Sequence, residues 1–326
     1  MVDTDWPFFD LTHEEKNACK SLKDVSLNMW GSCTPKTFMK TIRRTACLKP
    51  LHVALLREVL SICEHAGLRV FAYAGTALGL YREGGKMLSH DYDSDLAILE
   101  YAEDETGNLS KLANFCLSSN VEVSGIEGLD GASVLLRKAD EIPKIAVSFR
   151  NALSSEKWLY MEKADSCTIG ERSYTGEGAK TAKFTFTEHG LRSFAKQLPR
   201  IKPSQLCELV NDPSNIHVDL FTLSPHPSSP VQHLRVNWHF GDGYNACAKL
   251  FSRDAFFPLK RMIYEDLPIL APANLETYLT VEYGYLGRDA MYDRESQRYI
   301  KISEAVFQKF PLQMQKFLSG PNAEQA

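Results

Sequence analysis

The sequence predicts a mixed α+β (α/β-like) domain, and three observations carry that expectation. Leu51, Leu55, Leu56, Val59, Leu60 and Cys63 recur at helical spacing. Runs such as "KIAVSFR" and "NIHVDLFTL" have the β-branched, alternating texture of strands. The two kinds of segment are interleaved along the whole chain, which disfavours an all-helical fold. With 326 residues, 44% apolar and 24% charged, the chain is long enough to bury a sizeable core.

Residues 1–48 read as an N-terminal extension with one or two short helices, and Thr12 and Glu15 have capping-box spacing. Residues 49–326 read as the main domain. Its first helix is expected after Pro50, with Gly67 as the stop. "LRVFAYAGT" reads as a strand entering a Gly75-Thr76 turn, and "ALGLYRE" as a short helix broken by Gly84-Gly85. "DYDSDLAIL" is expected as a strand, "LSKLANFCLSS" as a helix, and "ASVLLRK" and "KIAVSFR" as strands. The polar stretch at about 151–203 reads as a long insertion, with a strand at "AKFTFTE" and a solvated loop at "GERSYTGEGAK". "NIHVDLFTL" is a further strand, closed by "SPHPSSP". The tail "FFPLKRMIYEDLPILAPANLETYLTVEYG" is expected as strand, loop and helix.

Net charge is -4, and clustered Lys and Arg with interleaved aromatics are missing, so no nucleic-acid partner is expected. No run of about 18 apolar residues predicts a transmembrane segment. The first residues are acidic where a signal peptide would be basic, so a cytoplasmic chain is expected. The Golgi or ER lumen is the alternative if an anchor or signal was removed. The eight cysteines form no CxxC pair and are expected as reduced, mostly buried thiols. Disulfides or a zinc site built from distant cysteines are the alternatives.

The chemistry concentrates in Asp91, Asp93 and Asp95. On a strand, alternate residues share a face at about 6.5–7 Å spacing. At an effective dielectric of about 20, two charges at that distance repel by roughly 2–3 kcal/mol. Three in a row call for a positive partner, and carboxylate oxygens suit Mg²⁺ or Mn²⁺. An EF-hand loop is excluded, because its sixth and twelfth positions would be Leu96 and Ala102 rather than Gly and Glu. The Gly75-Thr76 turn before a helix offers backbone N–H groups to an anion, and Arg82 lies about two turns on, placed to pair with phosphate. Asp219 lies in an apolar strand where a solitary carboxylate would be costly, so it is expected on the same metal or at the attacking hydroxyl. The nine histidines show no HExxH pattern, and His217 is read as a strand residue facing away from Asp219.

These motifs resemble the LicD/fukutin family. Gly75, Thr76, Leu78, Gly79, Arg82 and Gly84 match the first half of its pattern, and Asp91, Asp93 and Asp95 match the second. "DYDSDLAI" looks like the fukutin-related branch, and "HVDLFTL" and the tail resemble later family segments, so the likeness spans about residues 71–284. The family's Pro-Trp before the aspartates is Leu88-Ser89-His90 in this chain, with one extra residue. The resemblance implies a nucleotidyltransferase-type mixed sheet flanked by helices. It implies transfer of a phosphocholine- or ribitol-phosphate-like group from a CDP-linked alcohol donor to a sugar hydroxyl of a glycan acceptor. Mg²⁺ or Mn²⁺ would sit on Asp93 and Asp95, with Asp219 sharing a second ion. Gly75, Thr76, Gly79 and Arg82 would hold the donor, and Asp91 or Asp219 would orient or deprotonate the acceptor. Two alternatives use the same residues: nucleotidyl transfer to a small phosphorylated substrate, and a non-catalytic nucleotide- or glycan-binding relative.

Overall fold

The computed structural model describes residues 12–29, 33–100, 108–124, 142–150, 166–169, 172–175, 181–196, 216–226, 229–236 and 249–320. It shows a mixed α/β architecture in which a large sheet of parallel and antiparallel strands is flanked by helices. The expected strand "ASVLLRK" lies outside the described residues.

The chain begins with α1 (His13–Ala18), closed by the expected capping box: Glu15 N–H donates to Thr12 Oγ1 and Thr12 N–H to Glu15 Oε2. Helix α2 (Phe38–His65) differs from expectation, because it starts twelve residues before Pro50 and runs through it. Proline forfeits one backbone bond inside a helix. Packing outweighs that loss, since Phe38 and Ile42 are buried on one side of the proline and Leu51, Leu55, Leu56, Val59 and Cys63 on the other. Gly67 ends the helix region at φ +71°, as expected of a helix stop.

The strand expected at "LRVFAYAGT" is short, β1 (Phe71–Ala72), and α3 (Ala74–Arg82) begins at once. Then come β2 (Asp93–Leu99), α4 (Asn108–Ser118), β3 (Val121–Ser124) and β4 (Ile145–Arg150). β5 (Ser166–Ile169) and β6 (Arg172–Thr175) pair as a separate hairpin, so "RSYT" is a strand and not the expected loop. The strand expected at "AKFTFTE" is β7 (Thr181–Phe186), which lies inside the main sheet between β4 and β8 (His217–Pro225). α5 (Glu188–Ala195) separates β7 from β8 in sequence.

β9 (His233–Val236) and β10 (Phe251–Ser252) extend the sheet from β8. After α6 (Arg253–Phe256) the tail forms a hairpin, β11 (Lys260–Tyr264) and β12 (Leu267–Ala271), rather than one strand and a loop. Its turn residues Glu265 and Asp266 both have positive φ, the conformation that two-residue hairpin turns require. α7 (Leu275–Tyr283), the hairpin β13 (Ala290–Asp293) and β14 (Arg298–Lys301), α8 (Glu304–Phe307) and α9 (Leu312–Ser319) complete the chain. The main sheet runs β11-β12-β1-β2-β8-β7-β4-β3. Its central pair, β2 and β8, is parallel.

Two cores result. The larger one covers the sheet with α2, α3, α4 and α7. The smaller joins the two ends of the chain: Leu22, Leu27, Phe38 and Ile42 pack with Ile302, Phe310, Met314 and Leu318. The N-terminal extension is therefore tied to the C-terminal helices. Cys19, Cys33, Cys63 and Cys116 are buried free thiols and Cys47 is an exposed one, as the scattered spacing suggested for these five. Among the described residues no helix is long and apolar enough to cross a membrane.

Phe38 tests the small core. It is 1% exposed and meets Phe317 edge-on at 5.1 Å between centroids. Phe38→Ala is expected to lower the free energy of unfolding by about 3–5 kcal/mol. Ile263→Thr, at a 59% exposed position, is expected to change it by no more than about 0.5 kcal/mol. Denaturant unfolding of both variants checks this.

Candidate functional site

The parallel register of β2 and β8 sets Asp93 beside His217 and Asp95 beside Asp219. Because strand residues two apart share a face, all four side chains stand on one side of the sheet. The antiparallel pairing of β7 adds Lys183 beside Asp219. His217 Nε2 lies 3.2 Å from Asp93 Oδ2 and 3.5 Å from Asp219 Oδ2, and Lys183 Nζ lies 3.4 Å from Asp219 Oδ1. His217 therefore faces the acids, contrary to the sequence expectation. The signal was present: it stands two positions before Asp219, with one residue between them, and period two puts them on one face. Lys183 was missed as well, although a lysine within the apolar run "AKFTFT" is its trace.

Asp91 precedes β2 instead of lying on it. Thr45 Oγ1 of α2 donates to its carbonyl at 2.7 Å, and Tyr92 N–H reaches its Oδ1 at 3.2 Å. Its carboxyl group nonetheless turns toward Asp93 and toward the start of α3. The turn into α3 holds the site by a reciprocal pair. Gly75 N–H donates to Asp95 Oδ2 at 2.9 Å, and Asp95 N–H donates to Thr76 Oγ1 at 2.8 Å. A Cβ on Gly75 would sit 2.5 Å from Asp91 Oδ2 and 3.1 Å from Asp95 Oδ2, so only glycine lets both carboxylates approach. Ala74 takes φ +39°, a strained conformation for alanine, and Tyr278 Oη accepts its N–H at 2.8 Å.

This geometry redistributes the roles expected for the turn. Thr76 is fully buried, and its hydroxyl is committed to the Asp95 backbone. Gly79 packs under the chain at Lys86, where a Cβ would meet the Lys86 carbonyl oxygen at 2.5 Å. Gly75, Arg82, Asp91, Asp93, Asp95 and Asp219 line a common cleft of about 380 Å³, while Thr76 and Gly79 support it from behind. Arg82 Nε donates to Glu83 Oε1 at 2.9 Å and its Nη1 to the Gly287 carbonyl at 3.3 Å.

The electrostatics are those of crowded acids. Burial, followed by the charge and hydrogen bond of Asp93, pushes the Asp91 carboxyl well above the usual range. Burial, with Asp93 and Asp219, does the same to Asp95. For Asp93 burial also opposes ionisation, but the hydrogen bond and charge of His217 outweigh it and hold its pKa low. Burial would lower the pKa of His217, yet its bonds to Asp219 and Asp93 raise it to about 10. In the free protein, imidazolium and the Lys183 ammonium thus occupy the electrostatic position that a cation would take.

Asp93, His217 and Asp219 each offer a ligand atom, all within 4.8 Å of one another, so the cluster can hold a metal ion. Two carboxylates and an imidazole suit Mn²⁺ better than Mg²⁺, which prefers oxygen alone. The trio differs from the expected Asp93, Asp95 and Asp219 by admitting His217. Asp95 stands alongside, bound to the turn.

Two outcomes are expected. At neutral pH the free cluster carries protons that a cation must displace, so Mn²⁺ binding should release protons. Its affinity should climb as pH rises toward about 10, where His217 loses its proton; a pH-independent affinity in calorimetric titration would contradict this. Asp91→Asn should leave the metal-free protein as stable as the parent or more so near neutral pH, because it removes a carboxylate whose ionisation the fold opposes. The same change should weaken Mn²⁺ binding by about tenfold or more. Thermal unfolding with and without Mn²⁺ reads both effects. Set against protein-family models and against curated proteins, the chain matches none, so its function is argued from this site.

Proposed function

We propose that the protein transfers a phospho-alcohol group, phosphocholine- or ribitol-phosphate-like, from a CDP-linked donor to a sugar hydroxyl, using a divalent cation. The observation that carries this reading is that Asp91, Asp93, Asp95 and Asp219 line one cleft, with Asp91 and Asp95 against Gly75. The resemblance of the same residues to the LicD/fukutin pattern supports it, and so does the mixed sheet flanked by helices. A nucleotidyltransferase-type fold is part of the same proposal.

Phosphoryl transfer asks a protein for positioning and charge neutralisation more than for covalent chemistry. A divalent cation held by Asp93 and Asp219 would neutralise the donor's pyrophosphate charge. The residues supply the rest. Gly75 lets the Asp91 and Asp95 carboxylates approach the turn, and Lys183 offers an ammonium at the same face. The acceptor hydroxyl oxygen attacks the phosphorus that bears the alcohol, the bond to CMP breaks, and CMP leaves. The hydroxyl proton passes to a carboxylate, and Asp91 would take this role once a bound cation has displaced the proton that its environment otherwise favours.

The test is product analysis with CDP-choline or CDP-ribitol, Mn²⁺ or Mg²⁺, and candidate glycans. Metal-dependent CMP release, lowered on the order of 100-fold or more in Asp93→Asn, is the expected result. Pyrophosphate release from CTP would replace the reading with nucleotidyl transfer. Binding of nucleotide or glycan without turnover would make the protein a non-catalytic relative.

A further inference from the structure

Among the residues that line the same cleft, which include Tyr283, Tyr285, Tyr299 and Phe317, two guanidinium groups share one acid. Glu83 Oε1 accepts from Arg82 Nε at 2.9 Å and from Arg288 Nε at 3.1 Å, and its Oε2 pairs with Arg288 Nη2. One carboxylate cannot neutralise two guanidinium groups, so the trio keeps a net positive charge. The nearby Asp289 accepts from Tyr285 Oη at 2.6 Å and lies 3.7 Å from Lys301, and among the described residues no ion pair joins it to either arginine. Both arginines are largely buried, with side chains 14% and 24% exposed. A buried net charge is costly unless something pairs with it. Glu83 and the Gly287 carbonyl fix Arg82, while Phe317 lies under Arg288 with its centroid at 5.9 Å. The two forks are thus held in place at the cleft wall rather than swinging in solvent.

We propose that Arg82 and Arg288, braced by Glu83, form a subsite that binds a phosphate group of the substrate. Planar guanidinium forks match phosphate oxygens in pairs, and the tyrosines around them suit the ring that carries such a group. Arg288 and Phe317 lie beyond residue 284, in the segments that form the small core. The subsite therefore exists only when the C-terminal part of the chain is docked. The phosphate has two possible sources, the nucleotide of the donor or a phosphorylated sugar acceptor. The inference rests on the proposed function for the identity of the substrate, but not for the existence of the subsite.

Calorimetric titration in EDTA separates the two questions, because it needs neither metal nor turnover. The probes are two pairs: cytidine 5′-monophosphate with cytidine, and a hexose 6-phosphate with the hexose. In the parent protein one phosphorylated probe should bind about tenfold or more tightly than its unphosphorylated partner. Arg288→Gln should abolish that preference, and Arg288→Lys should restore part of it. The pair that responds names the source of the phosphate. Thermal unfolding of Arg288→Gln confirms that it is folded. If it is not, Arg288→Lys is read alone, and the preference should fall several-fold as paired hydrogen bonding is lost. The proposal is overturned if neither pair shows a phosphate preference, or if the preference survives loss of the Arg288 guanidinium. Loss of turnover with the phosphate preference intact would instead strike at the proposed reaction.

Discussion

Three acids and a histidine share one face of the sheet because β2 and β8 run parallel with Asp93 beside His217 and Asp95 beside Asp219. A slip of one residue would turn one pair into the core and bring Leu96 or Val218 out in its place. The buried, mostly apolar residues that alternate with the acids prevent that slip. Ser94, Leu96, Val218 and Leu220 are at most 2% exposed and pack away from the cleft. The hydrophobic effect thus fixes the register, and the register fixes the site. The turn into α3 then locks Asp95 through the bonds of Gly75 and Thr76.

The cost of this arrangement is borne locally. Four carboxylates line one cleft, and two of them resist ionisation. His217 and Lys183 offset part of the repulsion in the free protein. Behind them sits His52 on α2, 2% exposed, with no hydrogen-bond partner for either ring nitrogen among the described residues. Burial drives its pKa down to about 3, so it stays neutral at physiological pH. A site built for stability alone would not keep these groups together. Strain at Ala74 points the same way.

Much of this site was legible in the sequence, for a physical reason. Asp93, Asp95 and Asp219 stand out because carboxylates inside apolar strands need a partner. Gly75 stands out because a Gly-Thr turn at the start of a helix offers backbone N–H groups, although the structure gives its N–H to Asp95. The hidden parts depend on tertiary contacts. Nothing local shows that Phe38 and Ile42 carry α2 through Pro50, since their partners lie near the C-terminus. Nothing local shows that "AKFTFT" pairs with β4 and β8 and brings Lys183 to Asp219. Arg288 is more than 200 residues from Glu83 and could not be linked to it by spacing. His217 is the exception, because its period-two relation to Asp219 was visible.

The central claim is that the carboxylate end of the cleft is a cation site. Anomalous diffraction from crystals grown with Mn²⁺ tests it without any assumption about substrate. The account predicts a manganese peak within coordination distance of both Asp93 and Asp219 that vanishes in Asp93→Asn. A well-ordered cleft with no peak beside those carboxylates, at manganese concentrations that occupy other protein sites, would contradict it.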